Sequence, residues 1–312
     1  MSETLIEARD LRRVYGANTA VAGLNLTLKK GEILGLLGPN GAGKTTSMKM
    51  LAGCLSPTDG SVQIKGIDLR AQPTAAKKAL GYLPEQPPVY PELTVAEYLG
   101  FCAGLHGIVR AEREAAVNRA MQACGLSHMA QRLIANLSKG YQQRVGLAQA
   151  IIHQPDVIIL DEPTVGLDPI QIREIRSLIS RLGEEHSVIL SSHILPEIQA
   201  TCNRVMIINQ GQVVYEASMA EAAKARFDSL VLELARAPEA SALQALAGIE
   251  SVENIGPGRF RLRFDEAADP REAVAAAAAE QGWGLRELHA EQKSLEEVFV
   301  ELTTGERPQE AA

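Results

Sequence analysis

Ile33-Leu34-Gly35-Leu36-Leu37-Gly38-Pro39-Asn40-Gly41-Ala42-Gly43-Lys44-Thr45-Thr46 is the stretch that decides the fold. Its first five residues form an apolar run of the length of a buried strand, and the next eight fit GxxxxGK[ST]. A helical pattern follows. The glycines let backbone N–H groups turn inward around phosphate oxygens, while the next helix presents its partly positive N-terminus to the same anion. The loop Gly38, Pro39, Asn40, Gly41, Ala42 and Gly43 therefore reads as a nucleotide cradle. Lys44 reaches the β- and γ-phosphates, Thr45 offers its hydroxyl to Mg2+, and Thr46 adds a hydroxyl to the phosphate shell. A plain glycine-rich turn explains neither the strand before nor the helix after.

Outward from this loop, two further apolar runs, Val157 to Leu160 and Val188 to Leu190, also lack polar alternation, as strands buried on both faces do. In a parallel sheet the ligand site lies at the strands' C-terminal ends. Val157 to Leu160 ends in Asp161-Glu162, and two carboxylates after a buried strand call for a cation and water. Beside a phosphate loop, Asp161 holds Mg2+ through its water shell and Glu162 orients or deprotonates the attacking water. Ser191-Ser192-His193 ends the next strand, so His193 lies on the same edge and is placed to sense the γ-phosphate. The bland readings are a solvated strand end and a structural histidine.

Residues 1–220 thus predict an α/β phosphate-loop NTPase sheet, mostly parallel and covered by helices. A helical subdomain is inserted at about residues 88–150, with helices alone over 94–136 and a capping box at Thr94-Val95-Ala96-Glu97. A hairpin over Arg204 to Tyr215, turning at Asn209-Gln210-Gly211, precedes an alanine-rich change of composition. Residues 221–312 read as a separate small α+β domain, with strands at Leu230–Leu234, Val252–Ile255, Arg259–Phe264 and Leu285–Ala290. Helices at Ala240–Ala247 and Arg271–Gln281 complete the ferredoxin-like order βαββαβ. A last helix begins at a second capping box, Ser294-Leu295-Glu296-Glu297.

The 312 residues are 46% hydrophobic and 22% charged, proportions of a globular chain rather than a disordered or fibrous one. With 38 acidic against 31 basic residues the net charge is -7, which disfavours a nucleic-acid partner. No apolar run approaches the roughly 18 residues of a membrane span, and Met1 to Asp10 does not look like a secretion signal. Cys54, Cys102, Cys124 and Cys202 are widely spaced and read as reduced thiols, giving an expected cytoplasmic location.

Leu137-Ser138-Lys139-Gly140-Tyr141-Gln142-Gln143-Arg144 resembles the LSGGQ signature of the ABC ATPases. Physically, Ser138 can cap the following helix, aiming its first N–H groups near Gly140 at an anion. In the family, this segment faces the γ-phosphate held by a second subunit. The resemblance therefore implies an ATP-dependent head-to-tail dimer of this chain with itself or a related subunit, with Ser138, Gly140 and Gln142 contacting nucleotide in trans. It further implies Tyr15 as the adenine-stacking aromatic, Gln86 as the Q-loop residue reaching metal and water, Asp168 as the D-loop and His193 as the switch histidine. Tyr15 and Gln86 have bland counterparts in core packing and a polar loop, and Asp168 is also a helix N-cap before Pro169. Tyr141 stands where most members have glutamine, and Lys139 replaces a signature glycine.

Ser-Lys-Gly-Tyr, the later Glu-Pro-Thr-Val-Gly-Leu-Asp and the Ser-Leu-Glu-Glu-Val-Phe ending are similar to the bacterial ABC-2 exporter branch, especially gliding-motility-type ATPases. That resemblance implies an ATP- and Mg2+-using subunit on the inner face of the membrane, driving a separate membrane-spanning permease. The alternative is a non-transport ABC ATPase acting on ribosomes or DNA. Such translation factors usually carry two cassettes, whereas one phosphate loop and one signature occur here. A GTPase would want an Asn-Lys-x-Asp base reader, and that string is absent.

Overall fold

The chain opens with two long strands, β1 (Thr4–Tyr15) and β2 (Asn18–Lys29), paired antiparallel across a tight turn at Gly16. The structure, a computed structural model, describes residues 3–223, 226–264, 270–293 and 295–304. Next come β3 (Ile33–Leu37), the phosphate loop and α1 (Lys44–Leu51). β4 (Asp59–Ile64) and β5 (Ile67–Asp68) extend the first sheet to the order β2-β1-β4-β5. The apolar pattern of residues 1–220 predicts a mostly parallel sheet, and this antiparallel one is an addition. Its signal is weak in β1, where the pairing register shifts between Ala8 and Leu11 and Asp10 takes φ 47°. A bulge of this kind breaks the period-2 alternation by which strands are read.

After α2 (Pro73–Lys77) and β6 (Leu80–Leu83) comes the helical lobe, α3 (Val95–Leu105), α4 (Arg110–Ala123) and α5 (Lys139–Ile151). Its entry is fixed as expected by the capping box, in which Glu97 N–H donates to Thr94 Oγ1 and Thr94 N–H donates to Glu97. The chain returns through β7 (Val157–Asp161), α6 (Pro169–Glu185), β8 (Ser187–Ser192) and α7 (Leu195–Thr201). It then forms the hairpin β9 (Arg204–Asn209) and β10 (Gln212–Ser218), followed by α8 (Met219–Ala223).

A six-stranded sheet runs β10-β9-β3-β8-β7-β6, parallel from β9 to β6 with β10 antiparallel at the edge. β3, β7 and β8 are buried along their whole length, which is why they read as unbroken apolar runs. Leu37 pairs with Ser192 and Asp161 with Ser191, so the C-terminal ends of these three strands lie abreast. Met48, Met50 and Leu51 of α1 share one core with Ile6, Leu11 and Leu24 of the antiparallel sheet, and with Val157, Ile159 and Ile189 of the parallel one. The phosphate-binding helix is thereby held between the two sheets.

Contacts divide the chain into two compact units, Met1–Met219 and Ala220–Ala312. In the second, β11 (Arg226–Leu234), α9 (Ala240–Gln244), β12 (Ile249–Gly256), β13 (Arg259–Phe264), α10 (Arg271–Glu280) and β14 (Leu285–Lys293) give βαββαβ. The sheet is antiparallel in the order β12-β13-β11-β14, the ferredoxin-like arrangement. Leu230, Leu232, Phe260, Leu262 and Val274 form its own core. Helix α9 is shorter than its sequence pattern predicts, ending at Gln244 with Ala245 as its C-cap. α11 (Leu295–Thr304) follows, and the Ser294 cap expected at its start lies outside the described residues.

Candidate functional site

The phosphate loop joins the buried end of β3 to α1 with Gly41 at φ 82° and Gly43 at φ 104°, left-handed conformations that favour glycine. A Cβ on Gly38 would stand 2.3 Å from the carbonyl oxygen of Ile208, and one on Gly43 would stand 2.5 Å from that of Ala20. Sequence and space therefore agree on glycine at both. Lys44 is 5% exposed, and its ammonium donates to the carbonyl oxygens of Gly38 at 2.8 Å and Pro39 at 3.2 Å. The same ammonium lies 3.2 Å from Glu162 Oε1.

Glu162 follows β7 in a left-handed conformation, φ 47°, held by its N–H donating to Ser191 Oγ at 2.9 Å. Its second oxygen lies 2.9 Å from His193 Nδ1. Ser191 Oγ in turn donates to Asp161 Oδ1 at 2.7 Å, and Thr45 Oγ1 donates to the same oxygen at 3.3 Å. Asp161 is fully buried, and its Oδ2 has no hydrogen-bond partner among the described residues. Burial pushes the Asp161 carboxyl above its ordinary range; hydrogen bonds from Ser191 and Thr45 oppose this, while the charges of Glu162 and Glu85 add to it. A buried orphan carboxylate oxygen beside a threonine hydroxyl is an all-oxygen donor set, which suits Mg2+.

These groups surround a cleft of about 390 Å3, lined by Ala20, Asn40, Gly41, Gly43, Lys44, Thr45, Thr46, Glu85, Glu162, Val165 and His193. Gln86, the residue expected to reach the metal, is exposed and is not among them. Glu85, two residues beyond the end of β6, does line the cleft, and the sequence analysis does not single it out. Nor does Tyr15 line the cleft; it stands 46% exposed at the end of β1, with the Arg13 guanidinium 4.6 Å from its ring centroid. Ala42 is buried inside the loop.

The signature residues line a different cleft. Ser138 caps α5, its Oγ accepting from Tyr141 N–H at 3.5 Å, and Asp168 caps α6, accepting from Ile170 and Gln171 N–H at 2.9 Å each. Between the two caps lies a space of about 280 Å3, lined by residues that include Ser138, Gly140, Tyr141, Arg144, Asp168 and Gln171. A Cβ on Gly140 would stand 2.9 Å from Gln171 Cδ. Gln142, expected among the nucleotide contacts in trans, donates to the carbonyl oxygens of Ile134 and Leu137 at 3.3 Å and does not line this cleft. Tyr141 lines the cleft and shares a 3.2 Å hydrogen bond with His128 Nε2. No phosphate-loop residue lines this second cleft.

A nested anion loop, a buried carboxylate pair and a separate capped signature helix define the class as a phosphate-loop ATPase of the cassette type. The ABC transporter family model matches residues 21–165. Over 305 residues the chain is 30% identical to the linearmycin resistance ATP-binding protein LnrL of Bacillus subtilis, covering 96% of this chain and 98% of that one. Over 215 residues it is 40% identical to the bacitracin transport ATP-binding protein BcrA of Bacillus licheniformis, covering 68% and 69%. Among solved structures, the dimeric bacterial ABC transporter cassette MJ0796 superposes with a TM-score of 0.63 at 25% identity, covering 69% of this chain and 99% of that one. The chain belongs to the ATP-binding subunits of ABC transporters and is an ABC ATPase. No helix among the described residues is long and apolar enough to cross a membrane.

Proposed function

We propose that this chain is the ATP- and Mg2+-dependent motor of an ABC-2 type exporter, working as a head-to-tail dimer against a separate membrane-spanning permease. The observation that supports it best is the separation of the clefts. Lys44, Glu162 and His193 line one, whereas Ser138, Gly140 and Asp168 line the other. A γ-phosphate held on Lys44 meets a signature helix only when a second subunit brings one. Export is supported by relatives named for linearmycin resistance and bacitracin transport. A permease partner puts the chain peripherally on the cytoplasmic face of the membrane.

In this reading the loop N–H groups and Lys44 bind and orient the β- and γ-phosphates. Thr45 and the Asp161 oxygen that lacks a partner would hold Mg2+, with Glu85 lining the same cleft, and the bound ion would offset charge on the phosphate oxygens. Glu162 accepts a proton from the attacking water, and His193, hydrogen-bonded to Glu162, fixes the orientation of that carboxylate. Tyr15 offers its exposed ring to the adenine, with Arg13 behind it. Across the dimer, Ser138 and the first N–H groups of α5 face the partner's γ-phosphate, and Asp168 fixes the loop beside them.

Tagged Glu162→Gln protein, expressed in its native host and purified from detergent-solubilised membranes with MgATP, tests the transport reading. A polytopic membrane protein at near-equal stoichiometry is expected. Ribosomes or DNA-associated proteins in its place would replace transport with another output.

A further inference from the structure

Next in sequence to the hydrolytic residues, but not lining the phosphate cleft, is a second buried polar cluster that the reading above leaves unused. Glu197, in the first turn of α7, is 4% exposed. One of its oxygens, Oε2, accepts from Thr164 Oγ1 and from Ser192 Oγ, both at 2.8 Å. Thr164 and Ser192 are themselves buried. Ser192 Oγ also accepts from Ile194 N–H at 3.0 Å, closing a turn with His193 at its centre. Thr164 lies two residues after Glu162, in a segment whose successive turns run Val165 N–H to Glu162 and Leu167 N–H to Thr164, up to the cap at Asp168. A single carboxylate oxygen therefore ties together the segment leaving Glu162 and the turn carrying His193.

Burying a carboxylate costs free energy that hydrogen bonds to it offset; Oε2 of Glu197 accepts two, while Oε1 has no partner among the described residues. The two strand-end loops that Glu197 spans are also joined through Ser191 and through the 2.9 Å contact of His193 with Glu162. We propose that Glu197 is a positioning residue for hydrolysis, clasping Thr164 and Ser192 so that Glu162 and His193 stay in register. It does not line the phosphate cleft. The same clasp anchors the segment that runs on to Asp168, so it also sets the D-loop edge of the second cleft. This inference rests on the assignment of Glu162 and His193 made above.

The test is steady-state ATP hydrolysis and equilibrium nucleotide binding for Glu197→Ala, Glu197→Gln, Thr164→Val and Ser192→Ala. Misplacing a reacting group by about 1 Å lowers a rate by up to about a hundredfold. Glu197→Ala is expected to lower kcat about ten- to a hundredfold, with nucleotide affinity unchanged. Glu197→Gln, whose amide oxygen still accepts both hydroxyls, restores most of kcat. Combined with His193→Ala, Glu197→Ala should lower the rate by less than the product of the two single effects. Unchanged kcat in folded Glu197→Ala, or multiplicative losses without rescue by glutamine, would overturn the proposal. If the alanine variant does not fold, Thr164→Val and Ser192→Ala decide: each should lower kcat at constant affinity, and normal rates in both reject the clasp. Glu162→Gln and His193→Ala serve as controls. Normal turnover in those two rejects the site assignment itself, whereas their impairment beside normal Glu197 variants rejects this inference alone.

Discussion

The Lys44 ammonium and the Glu162 carboxylate face each other at 3.2 Å, both side chains less than one-tenth exposed. In the proposed mechanism Lys44 would cradle phosphate and Glu162 would activate water, and this ion pair brings the two groups together. Glu162→Gln keeps the shape and an oxygen acceptor for Lys44 but removes the base. MgATP binding should persist while kcat falls about 100- to 10,000-fold, measured by phosphate release against nucleotide titration. Normal turnover would remove Glu162 from the chemistry.

Lys44→Ala removes the only ammonium lining the phosphate cleft among its described residues and leaves Glu162 buried without that cation. Hydrogen bonds to charged groups contribute about 1.5–3 kcal/mol, so ATP affinity should fall by roughly ten- to a hundredfold, with turnover lost. A fluorescent-nucleotide titration reads the first effect. A variant with full hydrolysis contradicts the phosphate-loop assignment.

Glu85 and Gln86 give opposite expectations. Glu85→Ala should raise the Mg2+ concentration needed for half-maximal nucleotide-dependent activity, because Glu85 lines the cleft and its charge is felt by Asp161. Gln86→Ala should leave that dependence unchanged. A metal titration of both variants, read by nucleotide binding as well as by hydrolysis, separates them.

Asp161 carries a stability prediction whose sign follows from burial. Its folded-state carboxyl is raised above the ordinary value, so the folded protein holds this proton more tightly than the unfolded chain does. That contribution to stability is present at low pH and is lost as pH rises through the raised value. Without divalent metal, Asp161→Asn should therefore raise Tm relative to the unsubstituted protein at neutral pH, with the difference shrinking on acidification. Calorimetry across that range checks it, and an equal difference at every pH contradicts it.

Much of this was legible in the sequence for simple physical reasons. β3, β7 and β8 are buried on both faces and so appear as unbroken apolar runs. The phosphate loop needs glycine at fixed places, and the caps Thr94, Ser138 and Asp168 use short side chains that only a helix start rewards. The alternation Leu24, Leu26, Leu28 in β2 was a readable signal of the antiparallel sheet, but its partner β1 is broken at Asp10. Adjacent residues past a strand end were harder: periodicity stops there, so spacing does not say whether Glu85 or Gln86 turns inward. Gln142 and Tyr141 pose the same difficulty at the start of α5. The clasp at Glu197 joins residues far apart in sequence and has no local pattern at all.

One nucleotide needs two subunits in the proposed mechanism, because the phosphate cleft and the signature cleft are separate within one chain. The most direct measurement is the mass of the Glu162→Gln protein by light scattering after gel filtration, with MgATP, with MgADP and without nucleotide. A dimer is expected with MgATP alone, abolished by Ser138→Arg in the same background. A monomer that binds ATP to saturation, or a dimer indifferent to nucleotide and to Ser138, would contradict it.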